Sequence, residues 1–591
     1  MEYIYILSNI ILFTTALVTK KTKEKMNFLS TLLITIVLYL CYNPIMAYIL
    51  DVMNLPIHLI SMTICNVITI VILWGIQLKV HKRITFQTYM VSKKEIFVWL
   101  LLIGIQIPII YQEFGALDNF RFISTDATMH AGVAKKFYET HALVTSLEGI
   151  EAINPTFLIG GYVNLGMLFQ TFANIIGEFS LYRIYIAFDS CIYILMGLVF
   201  YYILQRYIKG SRFKEILAVI ITVLYMLGYP LNSLITGFHY FALGILQLLT
   251  IIYVLQQYGK QNTLPVLFLC NTGILLTYNL FAPVVYMIEA VVMLLYHYKE
   301  TGKIINRKVI YKMAIVMMIP GLIGVSFFLL PRILGNIHLE DAQNLNVDGY
   351  IYTNYWSNLL FFIPFAIYGI YKQIQEKNYT PICIALMVML GFTGICFIGK
   401  ISNHISTYYY MKNYYILTAC IMLAAFQGMS YLIEDNIGKW IVGLTVGGYI
   451  FMIVVHLVWV PVGPYDFVNH SDTSMVDIYT SNQATMRYIQ SMFSKERIEA
   501  LAYMEENQCI QGQNTLLISN HIDEHLLQFF FRYQNRKQLD LPNVEEEIQE
   551  WNNGNYEYLI IFQKQLYKRV YPQIEEGSIV FEKGDTVIYQ K

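Results

Sequence analysis

Long apolar stretches, one after another, limit what this chain can become. A helix crossing a bilayer needs about 20 mostly apolar residues. Such stretches recur near residues 3–19, 28–50, 57–79, 95–111, 184–206, 214–232, 238–256, 263–278, 280–298, 312–331, 356–372, 380–398, 413–431 and 438–459. The two flanking YNLFAP (278–283) are short and read equally well as half-spans. Only 14% of the 591 residues are charged against 56% hydrophobic, too little charge to coat a soluble protein of this length. The expected fold is an α-helical polytopic membrane protein of about 14 spans. Lys plus Arg equals Asp plus Glu at 40 each, with no basic domain or tail, so no nucleic-acid partner is expected.

Orientation follows from the cationic loops, which stay cytoplasmic. The basic runs are KKTKEK (20–25), the stretch 79–94, QRYIKGSRFK (205–214), KETGKIINRKVIYK (299–312) and KQIQEK (372–377). Both termini outside puts every run inside, provided that 157–178 does not cross the bilayer. That segment, FLIGGYVNLGMLFQTFANIIGE, is interrupted by glycine and polar residues and reads as an interfacial or re-entrant helix. KKTKEK follows the first apolar stretch rather than preceding it, so residues 3–19 read as a retained helix, not a cleaved signal. The outer face then carries loop 112–183, loop 332–355, loop 399–412 and the tail. The eight cysteines are scattered without a CxxC, which supports neither a disulfide framework nor a thiolate zinc site.

The chain divides into a transmembrane part, 1–460, and a polar tail, 461–591, long enough for one small domain. In the tail TLLISN, YEYLIIF, SIVFEK and TVIYQ read as strands, with EKGDT a hairpin turn. MRYIQSMFSKERIEALAYMEEN and HIDEHLLQFFFRYQNR read as helices. A small extracytoplasmic α/β domain is expected.

Two polar clusters interrupt the grease on the outer side. In STDATMHAGVAKKF a helix begins near Asp126 behind the capping types Ser124 and Thr125, and Asp126 and His130 share a face four residues apart. Asp126 suits a plain helix cap, and it also suits a general base for an incoming hydroxyl. Asp118, Glu148 and Glu151 are weaker competitors on the same loop. The second cluster, GKISNHISTYYYMKNYYIL, holds Lys400, His404, Tyr409 and Lys412. Its tyrosines fit an interfacial belt, but an outward lysine beside a span runs against the charge trend and invites a lipid phosphate. Lys400 and His404, also four apart, are candidates for the same task. No DxD or HExxH is present, so no metal site is assigned and a divalent cation is left open.

This order resembles the GT-C superfamily of multi-spanning, polyprenyl-phosphate-dependent glycosyltransferases. The residues that carry the resemblance are the acid-bearing loop STDATMHAGVAKKF, the interfacial INPTFLIGGYVNLGMLFQTF, the bundle and the tail. The sequence departs in having three apolar segments before the span that leads into the acidic loop, and in lacking a paired-acid motif. The resemblance implies an inverting transfer with Asp126 as base and His130 beside it. Lys412, with Tyr409, His404 and Lys400, would hold the phosphate of a polyprenyl-phosphate sugar. The acceptor would be an envelope glycan, lipid or protein, and the site the bacterial cytoplasmic membrane. Competing classes are an envelope polysaccharide polymerase or ligase, a non-catalytic envelope assembly protein, and a lipid flippase or transporter; the last predicts ionisable groups inside the spans.

Overall fold

The computed structural model describes residues 1–19, 26–82, 86–114, 120–122, 125–143, 159–177, 181–208, 210–259, 263–333, 351–352, 354–459, 474–487, 491–493, 495–509, 515–518, 544–562, 564, 572–574 and 577–591. Its first helices are α1 (Glu2–Val18), α2 (Phe28–Val52), α3 (Leu59–His81), α4 (Lys93–Phe114), α5 (Thr125–Thr140) and α6 (Ile159–Ile176). There follow α7 (Leu181–Gln205), α8 (Arg212–Leu227), α9 (Tyr229–Ile235), α10 (His239–Leu255), α11 (Leu264–Thr277) and α12 (Ala282–Thr301). Then come α13 (Arg307–Met313), a π-turn at Ala314–Met318, α14 (Ile319–Ile333), α15 (Tyr355–Leu359), α16 (Ile363–Gln375), α17 (Pro381–Ile401), α18 (Thr407–Leu432) and α19 (Asn436–Trp459). Among the described residues, ten helical stretches are long and apolar enough to cross a membrane, and α1, α10 and α11 are shorter apolar helices. The chain is a multi-pass helical membrane protein.

Two expected spans are broken. Stretch 214–232 divides at Gly228, whose φ −88 and ψ −114 end α8 before Pro230 opens α9. Stretch 356–372 divides into α15 and α16, with Pro364 in the first turn of the latter. Proline suits a helix start because its missing N–H has no partner there in any case.

The bundle has two distinguishable ends. At one, Lys94 pairs with Glu215, and Gln205 Nε2 donates to Glu95 Oε1 at 2.8 Å. A two-residue parallel ladder joins β1 (Met26–Asn27) to β2 (Tyr89–Met90) there. The described parts of the basic runs belong to this end. At the other end Ile57 N donates to His141 O at 2.6 Å, and Asn174 Nδ2 donates to Glu2 Oε1 at 2.7 Å.

Helix α6 begins inside the bundle and finishes at this second end. A Cβ on Gly160 would fall 1.9 Å from Thr277 Oγ1, at the close of α11, while Asn174 touches the start of α1. Thr277 Oγ1 also accepts from Gln247 Nε2, midway along α10, at 3.2 Å, so α6 covers only part of the bundle's depth. Asn164 anchors it, accepting from Asn43 Nδ2 at 2.9 Å and donating to Leu40 O at 2.8 Å. Beside it runs α5, packed so closely that a Cβ on Gly166 would sit 2.3 Å from the Phe137 ring.

The tail re-enters the bundle before it leaves. Helix α20 (Asp477–Arg487) is buried against α9, α15 and α19. After it, β4 (Ser491–Phe493) pairs antiparallel with β3 (Phe120–Phe122). Beyond lie α21 (Lys495–Glu506), β5 (Thr515–Ile518), α22 (Val544–Asn552), β6 (Tyr558–Ile561), β7 (Ser578–Lys583) and β8 (Thr586–Gln590). Their sheet has the order β5-β6-β8-β7, parallel at β5/β6 and antiparallel elsewhere. Leu516, Ile518, Ile548, Trp551, Leu559 and Ile561 form its core. The helix expected at HIDEHLLQFFFRYQNR lies outside the described residues, as do Asp118, Glu148 and Glu151.

Candidate active site

Three helix starts converge at the second end. Asp126 stands in the first turn of α5, where the helix dipole favours an anion; Ser124 lies outside the described residues. The loop leading into α10 presses directly on that turn. Gly237, at φ +74, comes so near that a Cβ on it would lie 2.7 Å from Ala127 Cβ. Both the positive φ and the close approach require glycine. Helix α18 supplies Lys412, a turn and a half into the helix.

His130, one turn beyond Asp126, is 2% exposed. Its ring meets Tyr240 edge-on at 4.4 Å and His239 at 5.0 Å. Among the described residues, His130 Nε2, His239 Nδ1 and the Tyr278 hydroxyl are buried without a hydrogen-bond partner. Burial, with His239 and the Lys412 charge nearby, holds the His130 pKa well below the ordinary histidine value, so its imidazole is neutral.

Lys412 is 1% exposed. Its Nζ donates to the Tyr240 hydroxyl at 3.2 Å. It lies 4.0 Å from the Tyr408 ring centroid and 4.6 Å from that of Phe238. Tyr240, Phe241, Tyr409 and Tyr278 follow at 5.4, 5.5, 5.6 and 5.8 Å. Removing an ammonium from water costs several kcal/mol. A desolvated ring face returns about 2 kcal/mol and a charged hydrogen bond about 1.5–3. Two close rings, one hydroxyl and the charge of Asp126 all act against that penalty. Burial pushes the Asp126 carboxyl above its usual range, and the Lys412 charge pulls it partly back. The field of Asp126 also reaches Tyr185, Tyr240, Tyr408 and Tyr409.

Of the residues singled out in the sequence, Asp126, His130, Lys412 and Tyr409 come together here. Lys400 and His404 do not join them. Lys400 Nζ lies 5.3 Å from the Tyr410 ring, on another face of α18 from Lys412. His404 is exposed, its ring bonded to Ser402 O at 2.8 Å. Sequence reasoning did not assign the α10 start, Phe238–Phe241, or Tyr278 to the site. The available signal was GFHYF itself, a glycine followed by a polar pair cutting into an apolar run. Among the described residues, no group of three or more His, Cys, Asp or Glu gathers as metal ligands.

A carboxyl within reach of the charge of a ring-walled lysine can take a proton where an anion is offset. No protein-family model matches the chain, and no curated protein does. Among solved structures the chain is similar to ArnT from Cupriavidus metallidurans, crystallised bound to undecaprenyl phosphate. The superposition has a TM-score of 0.44 at 10% identity, covering 84% of this chain and 98% of that one.

Proposed function

We propose that the protein is a GT-C-type membrane glycosyltransferase, moving a sugar from a polyprenyl-phosphate donor to a hydroxyl on a cell-envelope acceptor. The observation that carries this reading is the half-buried Asp126 opposite the ring-walled Lys412, at the bundle end away from the basic loops. Cationic loops are retained in the cytoplasm, which makes the site end the outer one and places both termini outside. A polyprenyl tail stays in the bilayer, so its headgroup must be met at this depth.

Asp126 takes the proton from the acceptor hydroxyl as that oxygen attacks the anomeric carbon. The carbon–oxygen bond to phosphate breaks on the opposite face, inverting the centre, and the electron pair leaves with the polyprenyl phosphate. Lys412 offsets the charge growing on that phosphate, and the surrounding rings exclude water, which strengthens the effect. Neutral His130 offers a hydrogen bond to the sugar or acceptor. Tyr409 forms part of the enclosure, while Lys400 and His404, at the same end, meet an arriving phosphate before Lys412 does.

The test is transfer by purified protein in nanodiscs, given a panel of polyprenyl-phosphate sugars with and without a chelator. The parent is expected to transfer one of them and Asp126→Asn to be slower by about 100- to 10,000-fold. Equal rates remove Asp126 from its role, and loss on chelation brings a divalent cation into the site.

Lipid translocation is a second reading, favoured by one observation. Glu289 on α12 is wholly buried and accepts from Asn271 Nδ2 at 2.7 Å, which also donates to Val316 O at 2.8 Å in the π-turn. An ionisable group inside the spans is the expected mark of a transporter. Movement of lipid across vesicles without sugar transfer would favour it, and en bloc transfer of a long glycan would favour a polymerase or ligase.

A further inference from the structure

The break between α8 and α9 leaves backbone carbonyls that a neighbouring side chain must serve. That neighbour comes from the tail. Asn482 on α20, 1% exposed, donates through Nδ2 to Leu227 O at 2.9 Å and to Gly228 O at 2.8 Å. Its oxygen accepts from Asn232 Nδ2 at 2.9 Å. The oxygen of Asn232 in turn accepts from the Tyr415 hydroxyl. One amide on α20 thus holds α9, and through Asn232 it holds α18.

Both connections lead into the site. From Asn232 the chain runs through α9 to Gly237 and Phe238. Tyr415 lies three residues beyond Lys412, on the same face of α18. The register is held from the other side too: Tyr352 and Asn354 both donate to Asp477 Oδ2, and Ile478 N donates to Asn358 Oδ1 at 3.0 Å. Further on, β4 pairs Met492 with Arg121 on β3, whose last residue precedes Asp126 by four positions. Strand β4 is therefore paired with the strand that precedes Asp126, and α20 reaches the helix that carries Lys412 through Asn232.

We infer that α20 and β4 act as a strap setting the gap between Asp126 and Lys412, with Asn482 as its positioning residue. The inference rests on reading those two groups as the reacting pair. A tail with its own folded unit so becomes part of the frame of the site.

Asn482→Asp keeps the acceptor oxygen and removes both donors. In the full-length protein in nanodiscs, backbone hydrogen exchange is expected to rise in 229–241 and 407–415 as well as in 474–487. Turnover is expected to fall roughly tenfold or more. Its acid limb is expected to move to higher pH, because a wider gap weakens the pull of Lys412 on Asp126. A merely structural loss would scale the pH profile without shifting it. Tyr415→Phe removes a single hydroxyl and is expected to shift the limb the same way, with faster exchange in 407–415 and none added in 474–487. Exchange confined to 474–487 in Asn482→Asp, together with an unshifted profile in both variants, overturns the strap. Should the parent transfer no sugar, the glycosyltransferase reading falls and the exchange pattern alone decides the strap.

Discussion

Burial and the charge of Lys412 act on Asp126 in opposite directions. Burial raises the Asp126 pKa and Lys412 lowers it. In Lys412→Met only the raising cause is left, so the carboxyl keeps its proton to higher pH. A base works only when deprotonated, so the acid limb of the pH–rate profile is expected to move upward and the rate at neutral pH to fall. Stability gives a second readout. A carboxyl with its folded pKa above the unfolded value binds more protons when folded, so its contribution declines as pH rises between the two values. Lys412→Met widens that window, and its unfolding midpoint relative to the parent is expected to drop as pH increases. Both charges could be found by reading, because each stands on a background that repels it. Their aromatic surroundings could not: the tyrosines of 408–415 satisfy an interfacial belt just as well, and nothing local brings α10 beside α18. Lys400 and His404 share the spacing of a helical pair, but the chain turns at Asn403, φ +58, and separates them from Lys412.

Helices were readable where grease was continuous, and the breaks inside a span were not. The apolar run 214–232 gives no warning that Gly228 ends one helix and Pro230 begins another, since each residue is tolerated inside a span. Yet that break is what turns α9 toward the site. The tail strands were easier, because short β-branched and aromatic runs between turn residues have few other uses. Gly237 is the tight point between the α5 and α10 starts. Gly237→Ala is expected to force the α10 start away from α5, since its Cβ would lie 2.7 Å from Ala127 Cβ at a backbone angle of φ +74. A loss of about 1–3 kcal/mol in stability is expected from strain of this kind. Sugar transfer should fall by more than that loss explains, because Asp126 moves with α5. Thermal unfolding and turnover on the same preparation check both parts.

The assembled bundle keeps its described basic segments at one end and its candidate chemistry at the other. In intact cells, a membrane-impermeant thiol reagent is expected to label His404→Cys, which is exposed at the site end. It is expected to label Lys303→Cys, exposed at the basic end, only after permeabilisation. The reverse pattern would put the site in the cytosol and remove an outward-facing transferase. Helix lengths add one more consequence. Helices α10 and α11 have 17 and 14 residues and so rise about 25 and 21 Å, while α2, α7 and α18, with 25, 25 and 26 residues, exceed about 30 Å of hydrocarbon. Neither of the short pair can cross that thickness by itself. On the proposed reading, a carrier's phosphate would then be met within the bundle, beside the start of α10, rather than above the leaflet.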